Sequence, residues 1–152
     1  MSLTVRLSTI KSIREINEES ASEEPYVLVT AVQLRNTLPG LPSVQNVRVF
    51  RYGVWEDFDE GEVKVNSGPP FWGLNSTPED ITDLSEVSFI ISLMENDNAD
   101  PGQYQTLLET VAAGSLALTL GEPDKSVRFS RLLTSIRNAL NGIDLPIPYR
   151  SR

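Results

Sequence analysis

Apolar and polar residues alternate from the start of the chain. Leu3, Val5 and Leu7 are interleaved with Thr4, Arg6 and Ser8, the period-two pattern of a half-buried strand. Residues 10–16 extend that pattern. Residues 26–34 are apolar and rich in β-branched side chains, which predicts a central strand. Residues 47–58 alternate again, with Val47 and Val49 followed by the aromatics Tyr52, Trp55 and Phe58. Asp59-Glu60-Gly61-Glu62 reads as a hairpin turn and residues 63–65 as its short return strand. Residues 87–94 are apolar except for Ser88 and Ser92, which predicts a strand buried on both faces. Residues 17–24, 36–43 and 66–78 are polar or rich in proline and glycine and read as loops.

Helical signals come late. Thr77, Pro78 and Asp80 look like the start of a helix of one or two turns that ends near Leu84. Beyond residue 100 the period changes. Asp100-Pro101-Gly102-Gln103 supplies an N-cap, a first-turn proline and a capping-box glutamine. Tyr104, Leu107, Leu108, Val111 and Ala112 follow at helical spacing, and the helix can run to Leu118. Gly121 and Pro123 break it. A second helix is predicted over residues 124–141, with Phe129, Leu132, Leu133, Ile136 and Leu140 on its apolar face and Gly142 as its C-cap glycine. Residues 1–145 read as one domain and residues 146–152 as an extended tail.

Strands first and helices last predict an α+β fold. It is an N-terminal antiparallel β-sheet or β-sandwich of about five to seven strands, followed by two C-terminal helices packed on it. No βαβ alternation is visible, which argues against a doubly wound nucleotide fold.

Composition narrows the chemistry. The chain of 152 residues has no histidine and no cysteine. Disulfides, thiolate nucleophiles, cysteine-held zinc and the usual general base are therefore unavailable. The net charge is −8, which repels nucleic-acid phosphates. No apolar run approaches the roughly 20 residues of a membrane span, and no signal peptide is visible, so cytoplasm is the default compartment. These exclusions favour a non-catalytic binding or assembly module whose partner is another protein or further copies of the chain. Two other classes stand beside it: a histidine-free enzyme built on carboxylates or a metal, and a structural subunit of a homo-oligomer.

Carboxylate oxygen is what remains for site chemistry. Glu18, Glu19, Glu23 and Glu24 precede the strand at 26–34, and Glu95, Asp97 and Asp100 follow the strand at 87–94. Calcium takes roughly six to eight oxygen ligands, so these loops hold it only if they meet. One loop lies before its strand and the other after. The expectation is that parallel strands gather the loops and antiparallel neighbours separate them. Simpler roles compete: Asp100 serves as an N-cap, Glu95 and Asp97 suit a helix N-terminus, and Glu18 to Glu24 suit a solvated loop.

The run from Glu18 to Glu24 followed by Pro25-Tyr26-Val27 resembles the first calcium loop of the C-two domain, a calcium- and phospholipid-binding β-sandwich. Leu93-Met94-Glu95-Asn96-Asp97 resembles its second loop, an apolar strand running into acidic-x-acidic. The resemblance implies Glu18, Glu24, Glu95 and Asp97 as calcium ligands, Asp100 as a substitute for the next, and contact with a membrane surface only when calcium is bound. The family uses aspartate where this chain has Glu18, Glu24 and Glu95, and it continues with strands where this chain turns helical.

Three further features have candidate roles. Phe71 and Trp72 sit in a proline-rich loop, as interaction residues or as a cap on the core. Asp57, Asp59, Glu60 and Glu62 offer paired carboxylates around a turn. Lys125, Arg128, Arg131 and Arg137 make one basic helix in an acidic chain, which faces solvent or an acidic loop in the same or another subunit.

Overall fold

The apolar segment after residue 24 becomes the centre of the molecule. In the computed structural model, residues 2–13, 24–35, 44–71, 79–80, 83–96 and 100–141 are described. Their elements in chain order are β1 (Ser2–Leu3), β2 (Thr9–Lys11), β3 (Pro25–Arg35), β4 (Val44–Tyr52), β5 (Val63–Val65), β6 (Glu79–Asp80), a single 3-10 turn (Leu84–Glu86), β7 (Val87–Glu95), α1 (Pro101–Leu118) and α2 (Lys125–Asn141). The fold is α+β: antiparallel strands followed by two C-terminal helices.

The main sheet has the order β4-β3-β7, and both pairings are antiparallel. Val27 faces Tyr52 on one side and Leu93 on the other. Two short antiparallel pairs, β1 with β6 and β2 with β5, complete the strands among the described residues.

β3 is mostly apolar because both its faces are buried. Tyr26, Leu28, Val32 and Leu34 face the helices, where Leu108, Ala112 and Leu116 of α1 and Leu132 and Ile136 of α2 close a core with Val49 and Ile90. Val27, Val29 and Ala31 face the other way and pack with Phe50, Tyr52 and Phe71 under Val5, Leu7 and Ile10. Side chains two apart share a face of a strand, so one strand supplies two cores.

Several sequence expectations need correction. Residues 4–8 do not form a strand. They are held by single bonds: Phe71 N–H donates to the Val5 carbonyl (2.9 Å) and the Asn66 side-chain amide to the Leu7 carbonyl (2.7 Å). Val5 and Leu7 still turn inward, so the alternation reported their facing and not their pairing. The strand expected over 47–58 starts earlier and stops at Tyr52. Gly53 takes φ 85°, and a Cβ there would stand 2.7 Å from the Trp55 ring. Positive φ suits glycine, and the chain leaves the sheet at that point. Thr77 and Pro78 lie outside the described residues, but the helix expected from them does not run through Glu79 and Asp80. Glu79–Asp80 pairs as a strand, and Asp83 caps a 3-10 turn instead. Gly142 and the tail lie outside the described residues.

The helices follow their signals closely. Asp100 accepts the Gly102 N–H at 2.9 Å and Pro101 opens α1. Asp124 accepts the Ser126 N–H at 2.8 Å ahead of α2. Each cap satisfies a donor that the first helical turn leaves open.

Candidate functional site

Glu24 and Asn96, which border the two acidic loops, meet, contrary to the expectation for antiparallel strands. In an antiparallel pair the start of one strand lies beside the end of the other. Pro25, which opens β3, faces Glu95, which closes β7. Asn96 then donates its backbone N–H to the Glu24 carbonyl (3.1 Å) and its side-chain amide to the Glu24 carboxylate (3.0 Å). Glu24 is half-buried, whereas Glu95 and Asp100 are exposed. Asp100 spends an oxygen on its cap. Glu18 and Asp97 lie outside the described residues. Among the described residues no three acidic side chains stand close enough together to hold a metal ion.

Beside this end lies Tyr26. Its hydroxyl is buried and has no hydrogen-bond partner. Burial, and after it Tyr104, pushes the phenol up to about 12, with Arg51 opposing and Asp100 adding to the rise. Tyr52, on β4, is also pushed up to about 12 by burial, against Arg48. Its hydroxyl donates to the Pro69 carbonyl at 2.7 Å.

Phe71 is not an exposed contact residue. It is 5% exposed and packs edge-on against Tyr52 and Phe89, at ring separations of 6.3 and 5.1 Å. Its loop folds back onto the core because an aromatic ring left in water forgoes the burial energy. Trp72 lies outside the described residues.

The carboxylates at 57–62 stand on an exposed turn. Glu62 pairs with Lys64 at 3.0 Å, and that bond, aided by the Asp59 N–H, holds its carboxyl below the usual range. The basic helix is partly satisfied within the chain: Lys125 reaches Asp83 at 3.4 Å and Glu86 at 4.0 Å. Arg128 is 1% exposed, and its Nε and Nη2 find no partner. Burial lowers its pKa, and only Glu122 opposes that. A groove of about 640 Å³ runs between α1 and α2, lined by hydroxyls such as Ser115, Thr119, Ser130 and Thr134, with Arg131 on its wall.

The two edges of the main sheet differ. Asn96 bonds Glu24, and bonded and non-bonded pairs alternate along an antiparallel ladder. Thr30 with Ile90 and Leu28 with Ser92 are therefore the bonded pairs. Ile91 and Leu93 turn their N–H and C=O groups away from β3. The same alternation turns Val49 of β4 outward, opposite Thr30. There α1 covers the edge: the Gln105 side-chain amide donates to the Val49 carbonyl at 2.8 Å. On β7 no described residue takes the outward backbone groups of Ile91 and Leu93. Their side chains are exposed as well, 64% and 68%.

No protein-family model, curated protein or solved structure matches the chain.

The edge of β7 is therefore the feature that its geometry singles out. An uncharged edge strand with outward backbone and exposed apolar side chains is a template for another strand. Sequence reasoning took residues 87–94 as buried on both faces. The structure buries one face fully and the other in part: Ile90 and Ser92 face the helices, while on the opposite face Phe89 packs on Phe71 and Ile91 and Leu93 are exposed. A run without charge reads the same in a central strand and in an uncovered edge.

Proposed function

We propose that this chain is a non-catalytic binding and assembly module that receives an extended strand along β7. One observation supports this reading. Among the described residues nothing takes the outward backbone groups of Ile91 and Leu93, and their side chains are exposed, on a strand with no charged residue before Glu95. Backbone bonds supply affinity in strand addition and alternate side chains supply selectivity.

A library of nine-residue peptides displayed on phage tests it. Enriched peptides should alternate apolar and polar residues, and a synthetic copy should shift the amide resonances of Ile91 and Leu93. Binding should be lost in Leu93→Lys, whose charge sits on the contact face. Failure to enrich any peptide, or shifts confined to the groove between α1 and α2, would overturn the reading.

A second reading, calcium held between the acidic loops as in the C-two resemblance, is favoured by the meeting of Glu24 and Asn96 at one end of the sheet. Calcium that binds only the folded chain raises its melting temperature by mass action. An unchanged melting temperature at millimolar calcium, or an equal rise in Glu24→Gln, excludes that site.

A further inference from the structure

We propose that the groove between α1 and α2 binds a small organic anion, a carboxylate or phosphate headgroup on a short apolar body. The groove is separate from β7, and its ligand goes beyond strand addition. It holds about 640 Å³, within the roughly 300–1,000 Å³ of small-molecule sites. Arg131 is the one charged residue among those that line it. Arg131 is exposed, and among the described residues its guanidinium makes no ion pair or hydrogen bond.

The hydroxyls of the groove divide into two kinds. Thr119 donates to the Ser115 and Leu116 carbonyls, Thr134 to the Ser130 carbonyl and Ser135 to the Arg131 carbonyl, at 3.0–3.2 Å. Those protons stay within the helices. The Ser126 and Ser130 hydroxyls have no partner among the described residues, so both can donate outward. Val127 lies one turn before both Ser130 and Arg131, which places the three on one stretch of helix surface. A headgroup seated there receives the Ser130 hydroxyl and the planar fork of Arg131, which matches the paired oxygens of a carboxylate or phosphate. Val127, with Leu118 of α1, which is 88% exposed, offers apolar surface for a short body to cover.

Charge selects the sign of the ligand. The chain carries −8, yet α2 has Lys125, Arg128, Arg131 and Arg137 and no carboxylate. Lys125 is answered by Asp83 and Glu86. Arg128 does not line the groove. Its buried guanidinium, on the same turn as Val127 and Ser130, adds positive charge that no ion pair cancels among the described residues. The carboxylates nearest in sequence, Glu122 and Asp124, accept the Asp124 and Ser126 N–H groups ahead of the helix. Neither lines the groove. The rest of the acidic surface is screened beyond about 8 Å in physiological salt. A cation would meet no carboxylate in the groove, and a neutral ligand would leave the Arg131 fork unused.

Titration of the isotope-labelled chain with hexanoate, hexyl phosphate, inorganic phosphate and hexanol tests the site. Hexanoate or hexyl phosphate should shift the amide resonances of Val127, Ser130 and Arg131 saturably at millimolar concentration. The tighter of the two distinguishes a carboxylate from a phosphate ligand. Inorganic phosphate, which has no body, should bind more weakly than that one, and hexanol should not saturate. Arg131→Gln should weaken binding by about tenfold or more, as loss of a hydrogen bond to a charged group does. Arg131→Lys keeps the charge without the fork and should fall between. Arg137→Gln, outside the groove, should bind as the parent does. Circular dichroism checks that the variants are folded. No saturable shift with either anion, hexanol binding as tightly as the anions, or equal weakening by Arg131→Gln and Arg137→Gln overturns the proposal. Shifts at Ile91 and Leu93 in place of the groove residues overturn it as well. Quiet amides along β7 leave the reading of that edge to its own peptide test.

Discussion

Gln105 reaches from α1 across the outer side of β4 and donates its side-chain amide to the Val49 carbonyl at 2.8 Å. One side chain of α1 thus takes an outward carbonyl of the β4 edge. Gln105→Ala should lose about 1 kcal/mol, the net worth of a typical internal hydrogen bond. Urea denaturation should show a lower midpoint with an unchanged slope. A change within error would mean that water replaces the amide freely.

Ile90 and Ile91 are sequence neighbours on opposite faces of β7. Ile90 is buried against the helices and Ile91 is exposed. Ile90→Ala should cost about 2–4 kcal/mol through lost burial and the cavity left behind. Ile91→Lys should stay within about 0.5 kcal/mol of the parent. Similar losses at both positions would contradict the facing of the strand.

The two buried tyrosines set an alkaline limit. Tyr26 and Tyr52 are each raised from 10 to about 12. Below pH 10 both are neutral in the folded and unfolded chain, and their contribution is fully present. As pH rises from 10 to 12 the unfolded chain releases these protons first, so stability falls. Each shift corresponds to about 2–3 kcal/mol. Thermal melts should drop steeply in that window, and Tyr26→Phe, which removes a hydroxyl with no hydrogen-bond partner, should flatten the drop while leaving neutral pH little changed. Phenolate absorbance that appears in the folded chain near pH 10 from all four tyrosines would contradict this.

Arg128 is a buried charge with two open donors. Replacing a poorly paired buried ion with an apolar residue of similar volume is often neutral or stabilising. Arg128→Met should match the parent or exceed it by up to about 2 kcal/mol. A clear loss would show that the guanidinium is bonded in solution, and it would move attention to what bonds it.

The sequence is most informative where local chemistry decides the outcome. Asp100 and Pro101 mark the start of α1 because caps and first-turn prolines act on their own neighbours. The central strand is visible because β3 is buried on both faces and is mostly apolar. Strand edges are less legible. The alternation of side chains reports the two faces of a sheet, while the backbone that faces an edge is the same in every residue. Ile91 and Leu93 therefore look like core residues until the order β4-β3-β7 is known. The meeting of Glu24 with Asn96 follows from strand direction, which composition does not carry. Gly53 ends β4 through a positive φ that a reading of apolar spacing passes over.

β3 pairs with partners at very different distances along the chain. Arg35 meets Val44 only nine positions away, so the hairpin with β4 closes early and locally. Pro25 meets Glu95 across seventy positions, and a long loop closes later because more chain entropy is lost. During folding, β3 therefore spends an interval with the side that β7 later covers still bare. A chain emerging from synthesis passes through that interval before residues 87–95 exist. The hazard of joining the wrong neighbour is thus greatest on the strand that ends up most deeply enclosed.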